Sequence, residues 1–591
     1  MVSSKAALDK AVVRCKKIGN TALDFETTCL VPAEGRVRLV SLCNDKCRYL
    51  VDFDKIKGGF RRTANIFEGG SWVVFNAGFE NRWFLDAGYD VRCLDVGYLR
   101  RAILGGGSYS LKQLLLWDLA HDMDKEEQIS DWAAKTLTQS QLDYAYGDAH
   151  WTWQLWLYWS MQADEGRWMG FKMFNDLVPA VIEMETAGML LDPKHHRLLI
   201  KSWIKTQATR LKRIRDLVGE DEVANVRSDA QWSDYFTQRM PSDFLAAWPK
   251  TEKTGLLSMK GATLKQLAGA VPGTPLEDFF DALSEYKTIS KYISSFGETL
   301  ITRSEMSPDK RVRARFNIGA AKTGRFSCTS PNLQQIPRDL ELLGESTSVR
   351  RSFIAGMGRR LVSLDYSGIE LRVLALLSGD EQLLEDMVEG DVHSEVAAVI
   401  AGHTIDKKTK AGKAARQAAK GVSFGIIYGA GATGLSTVMR TTADKAQGYI
   451  DFWQDRYPKA FQLRFDMMDE ASRSGYIRMV DGGTVYMSRR PDLPRAANFP
   501  VQRAALSIMA RAITRHKNSL DLLRARGKQR MTRMLSTIHD ALIDEAAVKD
   551  TQECLEVMNA DMVAGYLDMF PGAPIDNIVE GGIGPNWAAL E

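Results

Sequence analysis

The run RQAAKGVSFGIIYG, residues 416–429, places a cation or an aromatic ring at every fourth position. Steps of four advance about 400° around a helix, so Arg416, Lys420, Phe424 and Tyr428 share one slowly spiralling face. Two cations lie at one end of that face and two rings at the other. A triphosphate needs the first, and a nucleobase can stack on the second. Just upstream, Lys407, Lys408, Lys410 and Lys413 meet only Asp406 and read as solvated surface. Arg416 and Lys420 differ from them in their register with the two rings.

Carboxylates flank this helix at a distance. LDYSGIELR, residues 364–372, follows an apolar strand pattern and delivers Asp365 at the strand's end. A second acid arrives in Ile538-His539-Asp540, between the β-patterned segments LSTIHD and ALIDEA. Mg²⁺ is a hard cation that keeps waters and uses one or two carboxylates plus phosphate oxygens, which two separated aspartates can offer. A similar set lies near the N-terminus. In LDFETT, residues 23–28, Asp24 and Glu26 share a strand face. That fragment alone reads as an ordinary strand end. Further on come Phe75-Asn76-Ala77-Gly78-Phe79-Glu80 after an apolar strand, and Tyr144 with Asp148 one helical turn apart. Together they supply four acids and a tyrosine.

The first 165 or so residues alternate strands (TALDF, RLVSLC, RYLVDF, SWVVFN) with helices from Asn81 and from Ser110, an α/β pattern. From Gly170 to about Tyr292 the signal is amphipathic helix, including FNDLVPAVIEMETAG, which stops at Gly188 with Asp192-Pro193 as a turn beyond it. From Arg311 the pattern is mixed: strand RVRARFNI, a polar loop to Arg338, strand RRLVSLDY, helices to about Ala471, strands YIRMV and GTVYM, and a helix from Ala496. Thr152, Leu155, Trp156 and Trp159 share a helical face with Asp148, so the tryptophan cluster at 151–159 reads as core packing.

A length of 591 residues implies three to five folded units. Hydrophobic residues at 45% and charged residues at 26% exclude collagen-like, low-complexity and wholly disordered chains. The net charge of +3 favours no class of partner. Seven cysteines without a C-x-x-C unit imply reduced cytosolic thiols, and Cys43 and Cys47 lack the second pair a zinc site needs. No apolar run is long enough to span a bilayer, and the N-terminus lacks the apolar core of a secretory signal. The expected location is cytoplasmic, that of the host if the chain is phage-encoded.

The R-x-x-x-K-x-x-x-F-G-x-x-Y-G pattern, with Asp365 and Asp540, resembles family A DNA polymerases, the group of bacterial DNA polymerase I and small-phage replicases, over residues 180–591. The resemblance implies a right-hand fold with an α+β palm and helical fingers and thumb. Asp365 and Asp540 would bind two Mg²⁺ ions, Mn²⁺ being an alternative, one lowering the pKa of the primer 3′-hydroxyl and the other escorting pyrophosphate. Arg416 and Lys420 would clamp the triphosphate, Tyr428 would pack near the templating position, and Glu370 would gate against a ribose 2′-hydroxyl. Phe424 implies discrimination against dideoxynucleotides, which Phe424→Tyr should relax. TGRFS at 323–327 with PNLQQIP at 331–337 resembles the segment that touches the primer-template minor groove through Arg325. Asp391-Val392-His393 resembles the element whose histidine meets the incoming phosphates, and Asn498 and Gln502 in NFPVQ resemble template and minor-groove contacts. His539 would join Arg325, Asn498 and Gln502 on DNA, and Asn586-Trp587 matches the closing segment. Gly368 stands where many bacterial members carry Gln, and Ala541 where the family reads Glu; Glu545, four residues on, lies about 13 Å away along extended chain, too far to replace it.

Residues 20–165 resemble the DEDD proofreading 3′–5′ exonucleases that carry a tyrosine, with an α/β, ribonuclease H-like fold. Asp24, Glu26, Glu80 and Asp148 would hold two metals, Tyr144 would orient the attacking water, and Asn76 fits the second motif. Glu80 departs from the usual Asp, one methylene longer, which implies a slowed exonuclease.

The implied organisation is exonuclease 1–168, connector and thumb 169–300, palm 301–378, fingers 379–475 and palm again 476–591. The implied activity is template-directed DNA synthesis with proofreading, in phage or mobile-element replication. Primer-template DNA, deoxynucleoside triphosphates and a single-stranded 3′ end are the implied partners, with no membrane; helicase, primase and single-strand-binding protein stay open. Nothing resembling a 5′ nuclease precedes Asp24. A single-subunit RNA polymerase, a non-catalytic nucleic-acid scaffold and a hydrolase without polymerase are the alternatives; Glu370 and the phosphate-clamp pattern argue against the first and last.

Overall fold

Strand Thr21–Thr27 is buried along most of its length because it sits in mid-sheet. A computed structural model describes the chain except residues 220–222, 224, 252, 338–347, 407–408, 440, 488–495 and 591, so Lys407, Lys408 and Arg338 lie outside the described residues. In the N-terminal sheet the order is Cys47–Asp52, Val37–Asn44, Thr21–Thr27, Trp72–Val74, Leu94–Asp95. Val37–Asn44 runs antiparallel to both of its neighbours, Cys47–Asp52 and Thr21–Thr27, and the last two strands run parallel to Thr21–Thr27. Leu94–Asp95 is too short to carry a strand pattern of its own. Its Asp95 carboxylate accepts the backbone N–H groups of Asn76 and Ala77 at 3.1 and 2.8 Å, which starts helix Ala77–Asp86 four residues earlier than the sequence suggests.

Helix Gln139–Ser160 packs over strands Thr21–Thr27 and Val37–Asn44 and buries Asp148, Thr152, Leu155, Trp156 and Trp159 along one face. Trp153 is also buried and donates to Asp45 at 2.8 Å. The tryptophans therefore fasten the helix that carries Asp148.

The next helical stretch divides at Leu177 into Glu165–Asp176 and Val178–Ala187, since Pro179 lacks the N–H that a continuous helix would need. Asp192-Pro193 is not a turn. Asp192 accepts the N–H groups of Lys194 and His195, and Pro193 opens helix Pro193–Val218. Asp and Pro suit a helix start as well as a turn, so the dipeptide alone is ambiguous. Helices Pro193–Val218, Asp229–Arg239, Gly261–Ala270 and Pro275–Phe296 enclose a separate core around Trp232, Phe236, Trp248, Phe279 and Phe280.

RVRARFNI is likewise two strands. Arg311–Val312 pairs with Met189–Leu191, and Arg315–Asn317 pairs with Ser327–Thr329 in a different sheet. The C-terminal half is built on an antiparallel sheet ordered Arg533–Ile538, Ala541–Ala547, Arg359–Tyr366, Val579–Gly584. Helices Phe499–Ala525 and Thr551–Leu567 pack together, the latter against strand Arg359–Tyr366. Helices Glu381–Val388, Val392–Ala401, Lys410–Ile427, Ala432–Met439 and Ala443–Arg456 pack in succession against one another, and Lys420 and Phe424 of Lys410–Ile427 share a cavity with the sheet's Asp365 and Asp540. One hydrophobic core runs from Val2 to Trp587 through both halves. Among the described residues, no helix is long and apolar enough to cross a membrane.

Candidate active sites

In the N-terminal sheet, Asp24 and Glu26 project from one strand and Asp148 from the crossing helix, with one carboxylate oxygen of each within 4.8 Å of the others. Lys125, just ahead of that helix, places its Nζ 3.1 Å from both Asp148 oxygens and 3.1 Å from the Tyr144 hydroxyl. Tyr144 and Asp148 therefore share a face, as their spacing requires. Glu80, in the first turn of Ala77–Asp86, is buried and its Oε2 has no hydrogen-bond partner. It stands outside the tight cluster, yet the charges of Asp24 and Glu26 still act on it. Asn76 is exposed at the start of the same helix.

Burial raises all four acids above the usual carboxylate range. Repulsion from Asp148 adds to it at Asp24, from Asp24 and Asp148 at Glu26, and from Asp24 at Glu80. At Asp148, burial raises the carboxyl while the charge and hydrogen bonds of Lys125 oppose the rise. Tyr144 is pushed up by burial and then by Asp148. Among the described residues, Lys125 is the cation that acts on Asp24, Glu26 and Asp148. An all-oxygen donor set with an orphaned buried oxygen at Glu80 fits a hard divalent cation.

The second site is made by a hairpin. Ile538 pairs with Ala541, leaving His539 and Asp540 as a two-residue turn, with His539 at φ 56°. The Tyr366 N–H donates to the Asp540 carbonyl at 3.2 Å, and Asp365 pairs across with Ala541. The hairpin tip therefore brings Asp540 beside Asp365. Both aspartates line a cavity of about 370 Å³ whose opposite wall includes Lys420, Phe424 and Tyr428. Burial raises Asp540, against the pull of Arg325, His539 and Lys420. Two carboxylates under that much positive charge suit a divalent cation and a polyphosphate together.

On helix Lys410–Ile427, Phe424 and Tyr428 stack with centroids 6.0 Å apart, and the Lys420 ammonium lies 5.8 Å from the Phe424 ring. Arg416 donates to Asp391 at 2.6 Å, and Asp391 caps the helix carrying His393. His393 is buried 6.2 Å from the Phe424 centroid; burial first, then Arg416 and Lys420, hold it neutral, down to about 4. Arg416 and His393 adjoin the cavity without lining it. Glu370 accepts from the Tyr428 hydroxyl at 2.7 Å and pairs with Arg325. His539 lines the cavity and is held below its ordinary value chiefly by burial. Asn498 and Gln502 do not line it; Asn498 is buried with neither amide atom hydrogen-bonded.

Two departures acquire physical reasons. Gly368 has φ 60°, a backbone conformation that L side chains rarely adopt, so a larger residue there is strained; the Met387 methyl, 2.7 Å from where a Cβ would sit, ends a flexible side chain and can move aside. Glu545 is fully buried and bound by Arg311 at 2.6 Å and Arg359 at 3.4 Å, a structural role away from Asp365. Sequence reading missed Lys125, and also Glu580 and Arg350 of the cavity lining, whereas Gln334 of PNLQQIP does line it. Lys125 stands in a stretch without periodicity. Glu580 sits in Val579–Gly584, where three glycines hide the strand pattern; Gly581 is required there, since a Cβ would lie 2.2 Å from the Ser363 carbonyl.

Residues 197–589 match the model for "DNA polymerase family A". The chain belongs to DNA polymerase family A. Residues 1–162 match the model for "3'-5' exonuclease", and dependence on divalent metals goes with both. DNA polymerase I, thermostable, of Thermus aquaticus is 31% identical over 446 residues, covering 72% of this chain and 49% of the relative. DNA polymerase I of Bacillus subtilis is 30% identical, covering 68% and 44%. The chain spans about half the length of these curated relatives. They are bacterial, and the expected phage or mobile-element origin finds no support in them. Among solved structures, the POL domain of Pol1 from M. smegmatis, in complex with DNA primer-template and dNTP, superposes with a TM-score of 0.80 at 21% identity, covering 99% of this chain and 98% of that one. That likeness concerns the fold.

Proposed function

We propose that this family A chain extends a DNA primer on a template with deoxynucleoside triphosphates and trims mismatched 3′ ends in its N-terminal site. The single observation that carries the reading is the hairpin tip: Asp540 stands beside Asp365 on the floor of a cavity walled by Lys420, Phe424 and Tyr428. Divalent cations, Mg²⁺ foremost, supply charge neutralisation at the transferring phosphate when held by Asp365 and Asp540. Lys420 and Arg416 orient the triphosphate, with His393 behind them as a neutral donor, and Phe424 and Tyr428 offer ring faces to the base pair. Glu370, pinned by Tyr428 and Arg325, keeps its carboxylate fixed where a ribose 2′-hydroxyl would enter. Arg325, His539, Asn498 and Gln502 touch the primer-template; Asn498 must leave its buried setting to do so.

In the exonuclease site Asp24, Glu26, Glu80 and Asp148 form the metal-binding set and Tyr144 holds the attacking water, a single-stranded 3′ end being the substrate. The working division is 1–168 exonuclease, 169–300 connector and thumb, 301–378 and 476–591 palm, 379–475 fingers. Primer extension in Mg²⁺ tests the reading: wild type elongates the primer, and Asp365→Ala does so at least about 100-fold more slowly, beyond the loss typical of groups that only support a metal's ligands. Equal rates refute it.

A further inference from the structure

The palm sheet sets three residues in one cross-strand row. Asp365, on the central strand Arg359–Tyr366, pairs with Ala541 on one side and with Glu580 on the other. Residues directly opposite in an antiparallel sheet point to the same face, with Cβ atoms about 4.5–5.5 Å apart. Ala541, Asp365 and Glu580 all line the same cavity, with Asp540 one residue from Ala541 at the hairpin tip. On the Ala541 side the row offers only a methyl group. On the Glu580 side it offers a carboxylate; Asp365, Asp540 and Glu580 do not fall within 4.8 Å of one another as they stand, so the exposed Glu580 side chain has to turn inward across one strand spacing to join the pair. Glu580 makes no hydrogen bond or ion pair among the described residues, whereas Glu545, which pairs with Leu361 toward the far end of the same strands, is bound by Arg311 and Arg359. Gly581 and Gly582 follow Glu580, and strand Val579–Gly584 lies at the edge of the sheet, so no further strand covers the carboxylate.

We propose that Glu580 adds the third carboxylate to the divalent-cation site of Asp365 and Asp540, on the same sheet face as Ala541 but on the other flank of Asp365. This inference rests on the polymerase reading above. Its consequence is a donor set of three acids assembled from three strands: Asp540 from the hairpin, Asp365 from the centre, Glu580 from the C-terminal edge. A hard cation such as Mg²⁺ or Mn²⁺ takes such oxygen donors together with water and phosphate oxygens.

The test uses full-length protein in an Asp24→Ala background, which disables the N-terminal carboxylate cluster, bound to a dideoxy-terminated primer-template and the next nucleotide. Free Mn²⁺ is read by electron paramagnetic resonance. Glu580→Gln, equal in shape and on an exposed strand, is expected to weaken Mn²⁺ binding at least about tenfold, and to raise the Mg²⁺ midpoint of primer extension with an unchanged unfolding curve. Adding Ala541→Glu to Glu580→Gln is expected to restore binding from the other side of Asp365. Unchanged Mn²⁺ binding in Glu580→Gln, or weakened binding that Ala541→Glu leaves unrestored, overturns the proposal. The parent reading fails separately: there, wild type does not extend a primer, or Asp365→Asn keeps the Mn²⁺ site.

Discussion

At the scale of single residues, the N-terminal acids make a prediction about protons. Asp24, Glu26 and Glu80 have folded values above the ordinary range of about 4. A carboxyl raised on folding binds its proton more tightly in the folded chain, so the metal-free fold loses stability as pH rises through that window. A divalent cation binds only the ionised form, so its binding releases protons and strengthens with pH. Titration of Mn²⁺ at pH 6.5 in two buffers of different ionisation heat should therefore show net proton release; equal heats in both would contradict it. Lys125 adds a second expectation. It holds Asp148 and Tyr144 with the geometry a cation would use, so Lys125→Met should lower the metal concentration needed for half-maximal 3′ degradation. Much of this site is legible in the sequence because period-two and period-four spacings are local: Asp24 with Glu26, Tyr144 with Asp148. Lys125 is illegible because it reaches the cluster from irregular chain, and Glu580 because only strand register brings it to Asp365.

At the scale of elements, the sheet and its helices are tied by a buried charge. His516, on helix Phe499–Ala525, bonds Asp544 of the neighbouring strand at 2.8 Å and Asp561 of helix Thr551–Leu567 at 3.1 Å. Burial disfavours its charge, but the two aspartates prevail and push it up to about 9. A histidine raised above its unfolded value of about 6.5 gives its full stabilisation below that pH and loses it as pH rises through about 9. The thermal midpoint should fall from pH 7 to pH 9.5 more steeply in wild type than in His516→Leu. That variant should cost about 3–5 kcal/mol near neutrality, read by denaturant unfolding, because Asp544 is left buried without its cation. The pattern of elements was readable wherever periodicity was strong, as in Arg359–Tyr366 and the helix through Lys420. It was misread where one residue pair serves two structures, as at Asp192-Pro193, and where a run crosses between sheets, as in RVRARFNI.

At the scale of the molecule, the exonuclease and palm halves share one core, whereas the helices around Trp232 and Trp248 enclose their own. Contact between the halves is close: a Cβ on Gly482 would lie 2.5 Å from the Gly166 backbone, and Gly482 has φ 83°. Gly482→Val should cost about 1–3 kcal/mol and split the main calorimetric transition in two; a single unshifted transition would contradict a shared core. Net charge and length said nothing of this arrangement, since a core common to two halves is a property of packing and not of composition. On the proposed function, one chain synthesises at Asp365 and Asp540 and degrades at Asp24, Glu26 and Asp148. A labelled primer with one mismatched 3′ nucleotide, given template, Mg²⁺ and four deoxynucleotides, tests it most directly. Wild type should remove the mismatch and extend to the template's end, Asp24→Ala should stall at the mismatch, and Asp365→Ala should shorten the primer without extending it. Full-length product from Asp365→Ala would contradict the account.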